Sequence, residues 1–312
     1  MTKPLSPHLV GLPMAPAENV YDDEQNELLE KSIRDFSSID ILENPKVLDR
    51  YKETYISWIS NTKKNQVTGL ELFKEQNFCQ ATSEAFDKFY IEHHNRKFKC
   101  FRGEYLYHQI SWSGSKRDWG YIDEIHHVAD LQKNDAVVFS YPFSDTGELH
   151  PLVTAEFLDQ CLNLDIPVMV DCAYFGICQN LKFNFTHPAI KVVAFSLSKS
   201  FPVRHLRIGL RLSKEEKGDG LTAYNNTQYL NKLSCKVGID FMERYSPDYP
   251  IETYSSVQQK FCERLDLIPS NTVIFGLDEK AKYVKYNRGY YKSSRICFSK
   301  YLKAGDFPLN VV

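Results

Sequence analysis

Four short apolar runs constrain the fold of this chain more than any other feature. They are Ala136–Ser140 (AVVFS), Pro167–Asp171 (PVMVD), Ile190–Phe195 (IKVVAF) and Leu206–Leu212 (LRIGLRL). Each is too short for a buried helix, and most of them are continuous in apolar character rather than alternating. Such runs read as strands buried on both faces. The stretch Thr154–Leu164 between the first two has helical spacing. Strands alternating with helices build a mainly parallel sheet covered on both sides. In such a sheet a ligand sits beyond the carboxyl ends of the strands, so polar residues just after each run are the candidates for chemistry.

The rest of the chain is read around that sheet. Residues up to about Asn19 are proline-rich and form an arm. Glu24–Phe36 is an amphipathic helix with Leu28, Leu29, Ile33 and Phe36 on one side. A second helical stretch spans Tyr51–Ile59, and a third Thr82–His94; Lys97–Phe101 is a short strand. Leu221–Tyr245 reads as one helix, Ser246–Pro250 as a link, and Arg295–Leu302 as a strand at its start. The expected division is residues 1–50 as arm and helix, 51–245 as the large ligand-binding domain and 246–312 as a small, reduced second domain.

Composition removes several classes of function. A net charge of −2 over 312 residues gives no electrostatic footprint for nucleic acid or an acidic membrane. No apolar run reaches the roughly 18–20 residues that span a bilayer. The N-terminus lacks the apolar stretch of a secretory signal, so a cytoplasmic location is expected. Eight cysteines without a C-x-x-C pair read as reduced, buried thiols. Glu92, His93 and His94, and the pair His126–His127, lack ligand spacing on one helical face, so no metal site is expected.

Polar residues do follow the strands in order. Asp171 closes the second run, and Tyr174 follows in DCAYFG. Lys199 lies in FSLSKSF after the third run, and Arg207 precedes IG in the fourth. A lysine amine condenses with an aldehyde. A carboxylate keeps a pyridine nitrogen protonated, a phenol tunes a neighbouring oxygen, and an arginine grips a phosphate through paired charged hydrogen bonds. Taken singly, each has an ordinary explanation: a solvated lysine, a helix-capping aspartate, a surface arginine. Their order and spacing favour the joint reading.

Together, SLSKSFPVRHLRIG and DCAY resemble the S-x-S-K-x-F…R-x-G and Asp-x-x-Tyr signatures of the class I/II aminotransferases, the fold-type I pyridoxal-phosphate enzymes. The likeness runs from about Tyr51 to Ser299. It implies an α/β fold with a mostly parallel, seven-stranded type of sheet, helices on both faces and a small second domain. It implies pyridoxal 5'-phosphate on Lys199 as a Schiff base, with Asp171 at the ring nitrogen, Tyr174 at the 3-oxygen, and Ser196, Ser198 and Arg207 at the phosphate.

More segments fit the same pattern. CQATSEAFDKF is similar to the family's phosphate-binding turn, which assigns Thr82 and Ser83 to the phosphate, with Ala81 standing where glycine is usual. GEYLYH resembles the segment whose aromatic ring stacks on the cofactor: Tyr105 first, Tyr107 second. In SYPFSDTGELHP, Ser144 stands where the family carries an asparagine bonded to the 3-oxygen. Arg295 in SRICFS takes the place of the arginine that clamps the substrate carboxylate. Tyr51 takes that of a tyrosine reaching the partner subunit's phosphate, in a homodimer with its site at the interface. The implied activity is amino-group transfer between an amino acid and a 2-oxo acid, and the departures at Ala81 and Ser144 point to a specialised biosynthetic route. The alternatives are another reaction of the same fold, such as elimination, replacement, decarboxylation or oxidation, and a non-catalytic binding protein that kept the fold.

Overall fold

The protein is described by a computed structural model over residues 17–20, 22–36, 44–108, 111, 118–122, 130–284 and 294–305; the pair His126–His127 lies outside these. In chain order the elements begin with helices α1 (Asp23–Asp35) and α2 (Lys46–Ser60). Strands β1 (Gln66–Thr68) and β2 (Glu75–Gln80), helix α3 (Ala81–Glu92), and strands β3 (Lys97–Cys100), β4 (Trp119–Tyr121) and β5 (Asp135–Ser140) follow. Next come α4 (Ala155–Asn163), β6 (Val168–Cys172), β7 (Lys182–Asn184), β8 (Ile190–Ser196) and β9 (Ile208–Ser213). The last are α5 (Gly220–Thr227), α6 (Lys232–Arg244), α7 (Tyr249–Leu265), β10 (Ile268–Pro269), β11 (Phe275–Asp278) and β12 (Ser294–Cys297).

Seven strands form the main sheet in the order β2-β9-β8-β6-β5-β3-β4. All neighbours are parallel except those of β9, which runs antiparallel to both β2 and β8. The four apolar runs are four of these strands, as expected. Side chains alternate between faces along each strand. Val168, Val170 and Cys172 of β6 join Val193 and Phe195 of β8 in a core under α2, α4 and α6. Met169, Val192 and Ala194 point the other way, into a core with Phe86 and Phe89 of α3 and Leu221 of α5. Helices therefore cover both faces. β10, β11 and β12 form a separate antiparallel sheet, whose own core takes Phe261 and Leu265 from α7, Tyr174 and Ile177 from the turn after β6, and Val20. β1 and β7 make a parallel pair.

Boundaries differ from expectation where polar caps decide them. The single helix expected over Leu221–Tyr245 is two. Gln228 ends α5 in a left-handed conformation (φ 59°), and the Asn231 side chain accepts from the Ser234 N–H to start α6. The link expected at Ser246–Pro250 already contains the start of α7, with Pro250 in the first turn, where its missing N–H costs nothing. β2 was not anticipated. Its sequence, EQNFCQ, is four-sixths polar, and two of those residues, Glu75 and Asn77, belong to a polar cluster with Arg211 and Thr222.

Candidate active site

Strand periodicity assembles the site. Asp171 is two residues beyond Met169 on β6, so it points to the α3 face of the sheet; Ser140 on β5 and Ser196 on β8 do the same by the same count. Ser140 and Asp171 are register partners, and Asp171 pairs with Ala194 on the other side. These are the carboxyl ends of parallel strands. The β8–β9 connection, which carries Lys199 and Arg207, turns at that same edge, and β2 delivers α3 there with its N-terminus first.

An anion cradle forms at the start of α3. Thr82 and Ser83 lie in its first turn, where unsatisfied N–H groups and the helix dipole favour negative charge. Arg207 Nη2 donates to Ser83 Oγ at 2.8 Å, and the Ala81 N–H donates to the Arg207 carbonyl at 3.0 Å. Both residues are left-handed, Ala81 at φ 57° and Arg207 at φ 53°. Gly209 makes the close approach possible: a Cβ there would sit 2.7 Å from Ala81 Cα and 2.8 Å from the Phe195 carbonyl oxygen. Ser196 Oγ donates to Ser198 Oγ at 2.9 Å and accepts from the Ser198 N–H at 3.2 Å, which fixes the start of the lysine turn.

Asp171 and Lys199 are both displaced from ordinary behaviour. Asp171 is only 4% exposed. Burial raises its carboxyl to about 7, against the Ala173 N–H (3.0 Å), a hydrogen bond from Thr82 and the charge of Lys199. Burial also lowers the Lys199 ammonium to about 8; Arg295 and Arg207 lower it further, and Cys297 and Glu18 oppose them. Lys199 is thus closer to a neutral, nucleophilic amine than a surface lysine is. The N-terminal arm crosses it: Lys199 Nζ donates to the Ala17 carbonyl, Glu18 pairs with Arg204 at 3.0 Å, and Asp22 accepts from the hydroxyls of Tyr249 (3.1 Å) and Tyr254 (2.8 Å).

The second sheet supplies the remaining wall. Tyr174 packs edge-on to Phe275 at 5.6 Å. Arg295 lies over the Phe275 ring at 4.4 Å, and its Nη1 donates to the Ser144 carbonyl at 2.5 Å. Arg295 and Cys297 alternate with Ile296 on β12, and both act on the charge of Lys199, so that face of the strand looks toward the amine. Ser144 is therefore tied to Arg295 through its backbone.

One expectation needs correction. Tyr51 is fully buried under the opposite face of the sheet, and its hydroxyl donates to the Gly209 carbonyl at 2.8 Å. It is a core tyrosine and does not reach out of its subunit, so it no longer ties the site to a partner. Tyr107 has its hydroxyl held by both Asp87 oxygens at 2.9 Å and packs against Phe86. Tyr105 is 49% exposed and stacks on Tyr107 at 6.0 Å with an interplanar angle of 12°. The pair forms a platform rooted on α3, with Tyr105 its open member.

Sequence reasoning missed Glu104 and Ser140. Glu104 is buried and accepts from both the N–H (2.8 Å) and the hydroxyl of Ser140. Ser140 had the same signal as Asp171, a polar residue closing an apolar run. Glu104 had none, because nothing in GEYLYH separates a buried carboxylate from an exposed one.

The donor set fits pyridoxal phosphate. A helix N-terminus with two hydroxyls and a guanidinium suits a phosphate. A buried carboxylate near pKa 7 calls for a cationic partner such as a protonated pyridine. A lysine near pKa 8 suits an aldehyde. No protein-family model and no curated protein matches the sequence. Solved structures do match in fold. A putative aminotransferase from Burkholderia pseudomallei aligns over 93% of this chain and 97% of its own (TM-score 0.60, 14% identity). Tyrosine aminotransferase from Leishmania infantum aligns over 98% and 94% (TM-score 0.66, 12% identity). The pyridoxal-phosphate-bound C-S lyase of Staphylococcus hominis aligns over 94% and 88% (TM-score 0.66, 12% identity). With the lysine, the aspartate and the phosphate cradle at the carboxyl edge of the seven-stranded sheet, the chain has the fold of the fold-type I pyridoxal-phosphate-dependent transferases.

Proposed function

We propose that the protein is a pyridoxal-phosphate enzyme that transfers amino groups between an amino acid and a 2-oxo acid. The observation that carries this reading is the buried Asp171 carboxyl, raised to about 7, at the same sheet edge as Lys199 and the α3 cradle. When bound, the cofactor supplies an aldehyde that takes up amines and an electron-poor ring that accepts the electron pair released at a substrate α-carbon. The chain's residues do the rest. Thr82, Ser83, Ser196, Ser198 and Arg207 bind the phosphate. Asp171 holds a proton on the ring nitrogen, and Tyr174 donates toward the 3-oxygen. Lys199 would hold the aldehyde and, as general base, would move the proton at the substrate α-carbon. Arg295 grips the substrate carboxylate with a planar fork.

Binding is tested by titrating the protein with pyridoxal phosphate, reducing with borohydride and mapping the modified peptide. The label is expected on Lys199, and Lys199→Ala should lose it while retaining weak phosphate affinity. A reducible label that persists in Lys199→Ala sinks the assignment. Reaction class is tested with excess amino acid and no oxo acid. Transfer yields one equivalent of oxo acid per site and then stops until an acceptor oxo acid is added. The similarity to a C-S lyase keeps elimination as the second reading, and continuous ammonia release without an acceptor would select it.

A further inference from the structure

We propose that Glu104 is a positioning residue that sets where Arg295 presents its guanidinium, acting through Ser140 and Ser144. The proposal rests on the reading of Arg295 as the carboxylate clamp. Four hydrogen bonds link the two residues. The Ser140 N–H donates to Glu104 Oε1 at 2.8 Å, and the Ser140 hydroxyl donates to Oε2. The Ser144 N–H donates to Ser140 Oγ at 2.9 Å, and Arg295 Nη1 donates to the Ser144 carbonyl at 2.5 Å.

The direction of the chain follows from donor and acceptor chemistry. Both Glu104 oxygens accept from Ser140, one from its N–H and one from its hydroxyl. The hydroxyl's single proton is thereby committed to Glu104, and its oxygen's lone pairs are left for the Ser144 N–H. Ser144 is thereby fixed in its turn, and its own carbonyl is aimed at Arg295. Gly103, left-handed at φ 91°, lets the two segments touch, since a Cβ there would lie 2.9 Å from Asp145 Cβ. Glu104 and Ser140 are both nearly fully buried, so these bonds form in a medium of low dielectric, where directed hydrogen bonds hold geometry strongly. Glutamine at 104 would replace one acceptor oxygen by a donor and remove the constraint on the hydroxyl.

Two readouts test the idea. The first needs no cofactor: the rate of phenylglyoxal labelling at Arg295, measured by peptide mass spectrometry on the cofactor-free protein. Glu104→Gln and Ser140→Ala should each raise it about threefold or more, and Ser140→Thr, which keeps the hydroxyl, should restore it. The second uses the cofactor-loaded protein and compares capture by aminooxyacetate and by methoxyamine. These share a nucleophile and differ in the carboxylate. Arg295→Gln should lower their rate ratio about tenfold or more, Glu104→Gln about threefold, and the double variant no further than Arg295→Gln alone. Unchanged labelling of Arg295 in both Glu104→Gln and Ser140→Ala overturns the proposal. If labelling rises but Arg295→Gln leaves the ratio unmoved, Glu104 does position Arg295, and it is the carboxylate-clamp reading that fails.

Discussion

The site has two halves built in different ways. Asp171 and Ser196 are placed at the edge of the large sheet by strand register and period-two alternation, and Lys199 and Arg207 by the β8–β9 connection that turns at that edge. Arg295 belongs to the three-stranded sheet and is held by contacts distant in sequence, the Ser144 carbonyl and the Phe275 ring. The first half is positioned by backbone pairing and tolerates perturbed chemistry: a carboxyl near 7, an ammonium near 8 and two left-handed side-chain-bearing residues. The second half adds to its own backbone pairing, Arg295 with Leu277, long-range contacts to the Ser144 turn and the Phe275 ring. Damage to the first should change cofactor chemistry. Damage to the second should change discrimination among substrates.

The largest effect is expected at Asp171. On the proposed function, Asp171→Asn should lower turnover on the order of a thousandfold, about 4 kcal/mol, while cofactor still binds, because that reading has Asp171 hold the proton on the ring nitrogen. Near-native turnover would reduce Asp171 to a structural role. The same residue predicts a pH effect on stability in protein stripped of cofactor. Its folded pKa of about 7 exceeds the 3.8 of an aspartate in an unfolded chain, so the unfolded chain loses the proton first. Stability should therefore fall as pH rises from about 4 to about 7 and stay reduced above that, by an amount on the order of a few kcal/mol. Urea titrations of wild type and Asp171→Asn across this range should converge near pH 4 and separate by pH 8, with the variant then the more stable. Parallel curves would mean that the buried carboxyl is not protonated at neutral pH.

A smaller effect separates the halves directly. Arg207→Ala should weaken cofactor binding by about 1.5–3 kcal/mol, the value of a hydrogen bond to a charged group. Arg295→Gln should leave that affinity unchanged. Fluorescence titration with pyridoxal phosphate reads both. Equal losses in the two variants would mean that the site is one continuous unit and that the division drawn above is wrong.

The division also explains what could be read in the sequence. Continuous apolar runs need no tertiary information to be recognised as buried strands, and a polar residue closing such a run must lie at the sheet edge. Asp171 was legible for that reason; Lys199 and Arg207, which do not close a run, were legible only through the signature SLSKSFPVRHLRIG. Tyr51 misled because a tyrosine at a given distance along the chain says nothing about the face it occupies; here α2 turns it into the core. Glu104 was invisible because its burial depends on Ser140 and on the packing of Gly103 against Asp145. β12 was legible as the strand-like start of Arg295–Leu302, whereas its antiparallel partner β11 (FGLD), only four residues long, carries no alternation that would mark it.

The smallest effect tests whether the large-sheet half stores strain. A non-glycine residue in the left-handed region costs roughly 1–2 kcal/mol, and Ala81 sits there at φ 57°. Glycine at that position would relieve the cost but lose more entropy on folding, by roughly 0.5–1 kcal/mol. Ala81→Gly should therefore stabilise the protein by about 1 kcal/mol or less, seen as a rise in Tm of a few degrees at most. Cofactor affinity should stay unchanged, because the Ala81 N–H still reaches the Arg207 carbonyl. The converse variant is Gly209→Ala, whose Cβ would stand 2.7 Å from Ala81 Cα and should push the turn away from β9. It should lose both stability and phosphate affinity. If Ala81→Gly instead weakened cofactor binding while raising Tm, the left-handed alanine would be a preorganising element, holding the α3 N-terminus against Arg207 at the expense of stability. If neither quantity moved, the surrounding backbone would absorb the strain, and the conformation at 81 would follow from the pairing of β2 with β9 alone.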